Sequence, residues 1–252
     1  MKGMGNGHEF DRTRLMLGAA AMERLWGSSA AVFGIGGVGS HCAQALARSG
    51  VGRLILTDDD SVSETNLNRQ CVAWRSTIGQ KKTKVMERMI REICPDTRVL
   101  TFETFVLPDN LDALFERAGQ VDYILDAVDT VAAKLALAVY AKEHGIPILS
   151  SMGTGNKLHP ERFRIADISE TSVCPLCRVM RRELKKRGIE HLKVVFSDET
   201  PRTPDPEMEA RFIVEENEKG SARRHVPGSV AFAPPAAGLI MAGEAVRQMG
   251  GV

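Results

Sequence analysis

The sequence predicts an α/β protein with a Rossmann-like doubly wound, mostly parallel sheet, helices on both faces and a C-terminal extension. Three observations lead there. The apolar run Ala30-Ala31-Val32-Phe33 ends in the glycine cluster Gly34-Ile35-Gly36-Gly37-Val38-Gly39, which opens a helix over 41–48. A second β-rich run, Arg53-Leu54-Ile55-Leu56-Thr57, stops at Asp58-Asp59-Asp60. Strand-like and helix-like runs then alternate to about residue 168. Strand, glycine loop, helix, strand and acid make a βαβ unit, and its parallel pairing requires helical crossovers.

The first thirty residues read as helical, with an apolar face formed by Leu15, Leu17, Met22 and Leu25. After the βαβ unit, a long helix is expected over 81–93, ended by Cys94-Pro95, and a strand over 98–104. A helix fits 110–116, capped by Asp109 or Asn110, and a buried strand fits 123–127. Residues 130–144 read as a helix ended by Gly145, and the strand Pro147-Ile148-Leu149-Ser150 follows. Beyond residue 170 the texture changes. A basic helix is expected over 178–188, a Pro- and Glu-rich mobile loop over 198–229, and a closing helix over 234–249 that packs back on the domain.

The chain has 252 residues, 43% hydrophobic and 26% charged, which is enough for a substantial core. Lys+Arg 33 against Asp+Glu 32 leaves a net charge of +1, so any basic surface must be local. No apolar run reaches the roughly eighteen residues of a membrane span, and the N-terminal segment lacks a signal-peptide core. A cytoplasmic address and no membrane association are therefore expected. Five cysteines, an odd number in a long chain, do not read as a disulfide framework.

Gly34, Gly36, Gly37 and Gly39 form a G-x-G-x-x-G motif between a strand and a helix. Such glycines let the backbone approach closely, and the helix N-terminus offers amide donors to phosphate. Asp58, nineteen residues past Gly39, is placed to accept from ribose hydroxyls. The motif alone leaves NAD, FAD and ATP open. In a dehydrogenase the next segment runs quickly into a helix. Here the polar run 58–70 ends in Asn66-Leu67-Asn68-Arg69-Gln70, and Gly79-Gln80-Lys81-Lys82 follows. Arg69 and a lysine at the next helix start can clamp a triphosphate, and the acids, Asp60 among them, can reach Mg²⁺ and ribose.

This ordered series, from the glycine loop through the acid-rich strand end, NLNRQ and GQKKTK to Asp126-Ala127-Val128-Asp129, resembles the ubiquitin-activating-enzyme superfamily that includes ThiF, MoeB and HesA. The resemblance covers about residues 9–170. It implies a 1–170 ATP-binding adenylation domain, with 171–252 as a C-terminal region packed on the same domain. It further implies that Asp58 binds ribose, that Arg69 and Lys82 bind the triphosphate with support from Asn66, and that Asp129 holds Mg²⁺. Arg12 then reaches the phosphates of a partner subunit, which implies a homodimer. ATP and Mg²⁺ are the implied cofactors, and adenylation of a carboxylate is the implied chemistry.

Three further stretches resemble one branch, the tRNA threonylcarbamoyladenosine dehydratases. They are 167–184 with Cys174-Pro175-Leu176-Cys177, the run 192–197, and Gly228-Ser229-Val230-Ala231-Phe232 with Ala237-Gly238-Leu239-Ile240. This branch implies tRNA as substrate, ATP-dependent ring closure of threonylcarbamoyladenosine, and a sulfur-transfer protein as a further partner to consider. Residues 178–193 supply a local +5, with seven basic residues against two acidic ones. Arg178, Arg181, Arg182 and Lys185 share a helical face and, with Lys186, suit a phosphate backbone; Arg223-Arg224-His225 is a second, weaker candidate. A lone C-x-x-C lacks the second pair of a four-thiolate site, so neither zinc nor a redox role is expected of it.

Three rivals stand beside this reading. One is an enzyme that adenylates the C-terminus of a sulfur-carrier protein; a full zinc site or a thioester-forming cysteine would favour it. The second is an NAD(P)-linked oxidoreductase, which needs neither the 66–70 segment nor Lys82. The third is a non-catalytic nucleotide-binding module.

Overall fold

The computed structural model describes residues 8–218 and 227–252. The Arg223-Arg224-His225 candidate lies outside the described residues. Two helices, Asp11–Leu17 (α1) and Ala19–Gly27 (α2), precede the first strand, Ser29–Phe33 (β1). The predicted single N-terminal helix is broken at Gly18, whose φ of 83° takes the chain out of helical geometry. The break changes the predicted apolar face: Met22 and Leu25 are fully buried on α2, whereas Leu15 on α1 is 86% exposed.

The central alternation runs Gly39–Arg48 (α3), Arg53–Thr57 (β2), Lys82–Ile93 (α4), Arg98–Phe102 (β3), Leu111–Ala118 (α5), Tyr123–Asp126 (β4), Val131–His144 (α6) and Ile148–Ser151 (β5). The chain continues through Phe163–Asp167 (β6), Pro175–Lys185 (α7), Lys193–Ser197 (β7), Pro206–Glu218 (α8) and Ala233–Gly250 (α9). The helix α8 corrects the expectation of an open loop over 198–229; Asp205 accepts from the Glu207 and Met208 amides and so caps its start.

Seven strands form one sheet in the order β3-β2-β1-β4-β5-β7-β6. All pairings are parallel except β6 with β7, an antiparallel edge absent from the sequence reading. Side-chain alternation divides β1 between two cores. Ala30 and Val32 meet α2, α3, α4 and α9, while Ala31 and Phe33 meet α5 and α6. Every residue of β1 is therefore buried, as a strand covered on both faces must be. A third cluster joins α6, α7 and β7 around Met180, Leu184, Val194 and Phe196. Burying each such side chain fully is worth about 1.5–3 kcal/mol.

The strand order reverses between β1 and β4. Ligands of doubly wound sheets bind at such a switch point, outside the carboxyl ends of the strands. The glycine loop leaves β1 there, and the loop carrying Asp129 leaves β4 beside it.

Candidate active site

Each glycine of the loop answers a different demand. Gly34 has φ 85°, and a Cβ there would lie 2.6 Å from the carbonyl oxygen of Ala127. A Cβ on Gly39 would lie 1.7 Å from the Gly34 carbonyl oxygen, so the loop closes on its own backbone. Gly37 is overlain by Pro234 of α9 and by the Arg69 side chain, at 3.0 and 3.3 Å from an added Cβ. Gly36 alone faces open space, its nearest neighbour being the Gln70 amide nitrogen 3.9 Å from an added Cβ. Three glycines are thus fixed by packing. Gly36 offers bare backbone to whatever enters the crevice.

The second strand supports this loop directly. Gly34 donates its N–H to the Thr57 carbonyl at 2.8 Å. The Asp58 carboxylate accepts from the Ile35 N–H at 2.5 Å and from the Asp60 N–H at 2.9 Å. Lys82 opens α4 with its ammonium 2.7 Å from Asp60 and 4.0 Å from Asp58. Burial pushes the Asp58 carboxyl up, and Lys82 with the two amide donors draws it part of the way back. Asp58, the glycine loop and Lys82 therefore form one connected unit.

The run 58–70 folds into turns and a single 3-10 turn at Glu64–Asn66 rather than an α-helix. Asn66, buried, accepts from the Ser63 N–H at 3.1 Å and so caps its own turn. Arg69 donates to the Thr65 carbonyl at 2.8 Å and to the Asn68 side chain at 2.9 Å, and burial lowers its guanidinium from the ordinary value. It stays charged at neutral pH. His41 of α3 bonds the Arg69 carbonyl at 3.1 Å, and burial lowers its imidazole. The next residue, Gln70, is buried beside Gly36, and its amide oxygen has no partner.

Asp129 is exposed at the start of α6, across the switch point from the glycine loop. Beneath it, Lys134 and Asp126 form a fully buried ion pair at 3.1 Å. The same ammonium donates to the Ser151 carbonyl at 2.7 Å, and the Ser150 hydroxyl donates to Asp126 at 2.5 Å. Asp126 also accepts from the Val128 N–H at 3.2 Å, which fixes the loop leading to Asp129.

Arg12 is exposed on α1, a helix that buries none of its residues. On α7, Arg178, Arg182 and Lys185 are exposed, as is Lys186 at its C-cap. Arg181 is turned inward instead and donates to the carbonyls of Ile168 and Thr171 at 3.3 and 2.9 Å. Glu183 bonds Lys186, Arg182 and Arg187, which hold its carboxyl down to about 2.

The contributions of His41, Gln70 and Lys134 escape sequence reading because each acts through the backbone or the interior. Only the placement of Gln70 in the NLNRQ run offered a signal. Among the described residues no group of three or more His, Cys, Asp or Glu could hold a metal ion, and no helix is long and apolar enough to cross a membrane. A carboxylate such as Asp129 fits Mg²⁺, which takes one or two carboxylates and completes its shell with phosphate oxygens and water.

The ThiF family profile matches residues 10–252. The tRNA threonylcarbamoyladenosine dehydratase of Bacillus subtilis is 41% identical over 243 residues, covering 96% of this chain and 94% of that protein. The Escherichia coli enzyme of the same name is 39% identical over 176 residues, covering 70% of this chain and 65% of that one. Among solved structures, the E. coli enzyme TcdA in complex with ATP superposes with a TM-score of 0.82 and 32% identity, covering 96% of this chain and 93% of that one. The fold alone extends to E. coli MccB with ATP, at a TM-score of 0.64 and 18% identity over 98% of this chain and 64% of that one. With a glycine loop, acid, arginine and lysine arranged at the switch point, the chain belongs to the ThiF family and, within it, to the tRNA threonylcarbamoyladenosine dehydratases.

Proposed function

We propose that the protein uses MgATP to dehydrate threonylcarbamoyladenosine in tRNA to its cyclic form. The observation that carries this reading is the similarity to the B. subtilis dehydratase across 96% of the chain, with the glycine cradle, Asp58, Arg69 and Lys82 assembled in one crevice. The backbone at Gly36 and the N-terminus of α3 receive phosphates. Asp58 accepts from ribose. Lys82 and Arg69 neutralise the triphosphate, and Asn66 keeps the Arg69 turn in shape.

The threonyl carboxylate attacks the α-phosphorus, forming an O–P bond as pyrophosphate leaves. A nucleophile of the same modified group then attacks the activated carbonyl, and AMP departs with the ring closed. No enzyme thioester is needed. The protein contributes positioning and a preorganised positive field where charge develops. Asp129 would hold Mg²⁺, which would supply further charge neutralisation at the phosphates.

The exposed Arg178, Arg182, Lys185 and Lys186 supply a phosphate-binding surface for tRNA. The exposed Arg12, Leu15 and Met16 on α1 support a homodimer in which Arg12 completes the partner's phosphate site. A cytoplasmic address suits this substrate. The test is pyrophosphate release from MgATP with unmodified tRNA, threonylcarbamoylated tRNA and a sulfur-carrier protein offered in parallel, followed by nucleoside mass analysis. Release that depends on the modified tRNA, with the nucleoside lighter by one water, is expected. Release with the carrier protein alone would overturn the reading in favour of carrier adenylation.

A further inference from the structure

The segment 227–230, which leads into α9, takes no part in the chemistry above, yet both banks of the crevice hold it. Asn68, in the run that follows β2, donates from its side-chain amide to the Ser229 carbonyl at 3.0 Å. Asn156, in the loop that follows β5, grips the neighbouring residue twice. Its backbone N–H donates to the Gly228 carbonyl at 2.8 Å, and its side-chain oxygen accepts from the Gly228 N–H at 2.7 Å. In the order β2-β1-β4-β5 these two anchors come from opposite sides of the switch point. The segment is therefore a strap that joins the banks over the carboxyl ends of β1 and β4.

The grip of Asn156 uses a φ of 59°, a left-handed conformation uncommon outside glycine, which aims its backbone and side chain at one peptide. A Cβ on Gly155 would stand 2.8 Å from the Pro227 ring, so the strap lies directly on this loop. Val230 packs on the core cluster behind the glycine loop. Pro227 and Gly228 face solvent, whereas the Ser229 hydroxyl is sealed from it and has no partner. The Gln70 amide oxygen and the Thr130 hydroxyl, next to Asp129, are likewise buried and unpaired. Buried polar atoms of folded proteins are almost always paired. Three such atoms on the three segments around the switch point mark a site that a polar ligand completes. Asp58, Asn66, Arg69 and Lys82 all belong to the stretch from β2 to α4, and the loop after β5 carries none of them. That second bank is left for the acceptor.

Resting on carboxylate adenylation in this crevice, we propose that the strap is its acceptor wall and that the Ser229 hydroxyl donates to the carboxylate to be activated. One carboxylate oxygen is held by Ser229 while the other faces the α-phosphorus. A neutral donor orients the carboxylate without the ion pair that would blunt its attack. Asn68 and Asn156 set the height of the strap, so they are positioning residues for the same group.

The test uses the full chain and two assays. Calorimetric titration with ATP alone should give Ser229→Ala the wild-type affinity. Pyrophosphate release at saturating ATP, with threonylcarbamoylated tRNA varied, should show kcat/KM for the acceptor lowered about 10- to 100-fold, the effect of losing a hydrogen bond to a charged group. Ser229→Thr keeps the hydroxyl and should recover most of the loss. The melting temperature of Ser229→Ala should equal or exceed that of wild type, because the hydroxyl makes no bond within the fold. Asn156→Gly keeps the left-handed backbone, loses the side-chain grip, and should raise KM for the acceptor without moving that for ATP. Unchanged acceptor kinetics in Ser229→Ala, or a matching loss of ATP affinity, overturns the proposal. A wild-type chain that releases pyrophosphate only with a sulfur-carrier protein would sink the tRNA reading instead. Ser229→Ala should then show the same loss toward the carrier's C-terminal carboxylate, and its absence there would overturn the proposal too.

Discussion

Lys82 lies 2.7 Å from Asp60, yet its own side chain is sealed from solvent while that of Asp60 is 66% exposed. The pair points a buried cation toward an open crevice. Lys82→Ala should therefore lower ATP-dependent pyrophosphate release by about 10²–10³-fold, the usual effect of removing one preorganised charge donor. Steady-state kinetics with the modified tRNA would measure it, and turnover within twofold of wild type would remove Lys82 from the phosphate site.

Gly36 and Gly39 should respond differently to the same substitution. Gly36→Ala meets nothing closer than 3.9 Å and should keep the wild-type melting temperature while losing ATP binding, because its methyl group fills the crevice. Gly39→Ala drives a Cβ into the Gly34 carbonyl and should lose both, at a cost of about 3 kcal/mol. Calorimetric titration with ATP and thermal melts of the two variants separate these outcomes; full ATP affinity in Gly36→Ala would place the nucleotide elsewhere.

The pH dependence of stability should carry a Glu199 signature. Burial pushes this carboxyl up, but the N–H groups of Leu158 and His159, at 2.9 and 3.0 Å, outweigh it and hold it below the usual range. A depressed carboxyl stabilises the fold above its unfolded value of about 4.3, and that stability is lost as pH falls through the folded value. Glu199→Gln should cost about 1–3 kcal/mol near pH 7, with the gap to wild type closing on acidification. Urea midpoints at several pH values test this, and a constant gap would refute it.

Lys134→Met should destabilise the protein by about 3–5 kcal/mol, because it strands the buried Asp126. Adding Asp126→Leu should recover much of the loss in denaturant melts. Recovery would separate the cost of a stranded charge from the packing of α6; its absence would assign the loss to packing.

On α7, Arg178→Glu and Lys185→Glu should weaken tRNA binding and flatten its salt dependence. Arg181→Gln should instead lower stability, since its guanidinium bonds the carbonyls of Ile168 and Thr171. Filter binding across a salt series would tell these apart, and equal effects of all three on binding would count against the distinction.

The central βαβ alternation was legible because strand and helix periodicities and glycine punctuation are local signals. The antiparallel strand β6 was not, since its place at the sheet edge depends on β7 inserting between it and β5. α8 was masked by the Pro- and Glu-rich composition of its surroundings. Within the crevice, ordered motifs pointed to Asp58, Arg69 and Lys82. Sequence could not show that Arg181 turns inward, which depends on the position of the Thr171 turn, or that Lys134 is buried, which depends on Asp126 across the helix–strand junction.

The closing helix has a temporal consequence. Gly238 lets α9 approach α3 so closely that a Cβ there would lie 2.3 Å from the Val38 carbonyl, and Pro234 covers Gly37. During vectorial synthesis, α9 leaves the ribosome long after the glycine loop. The loop thus gains its brace only after α9 has emerged and docked, and in the interval it lacks both the cover of Pro234 and the close contact at Gly238.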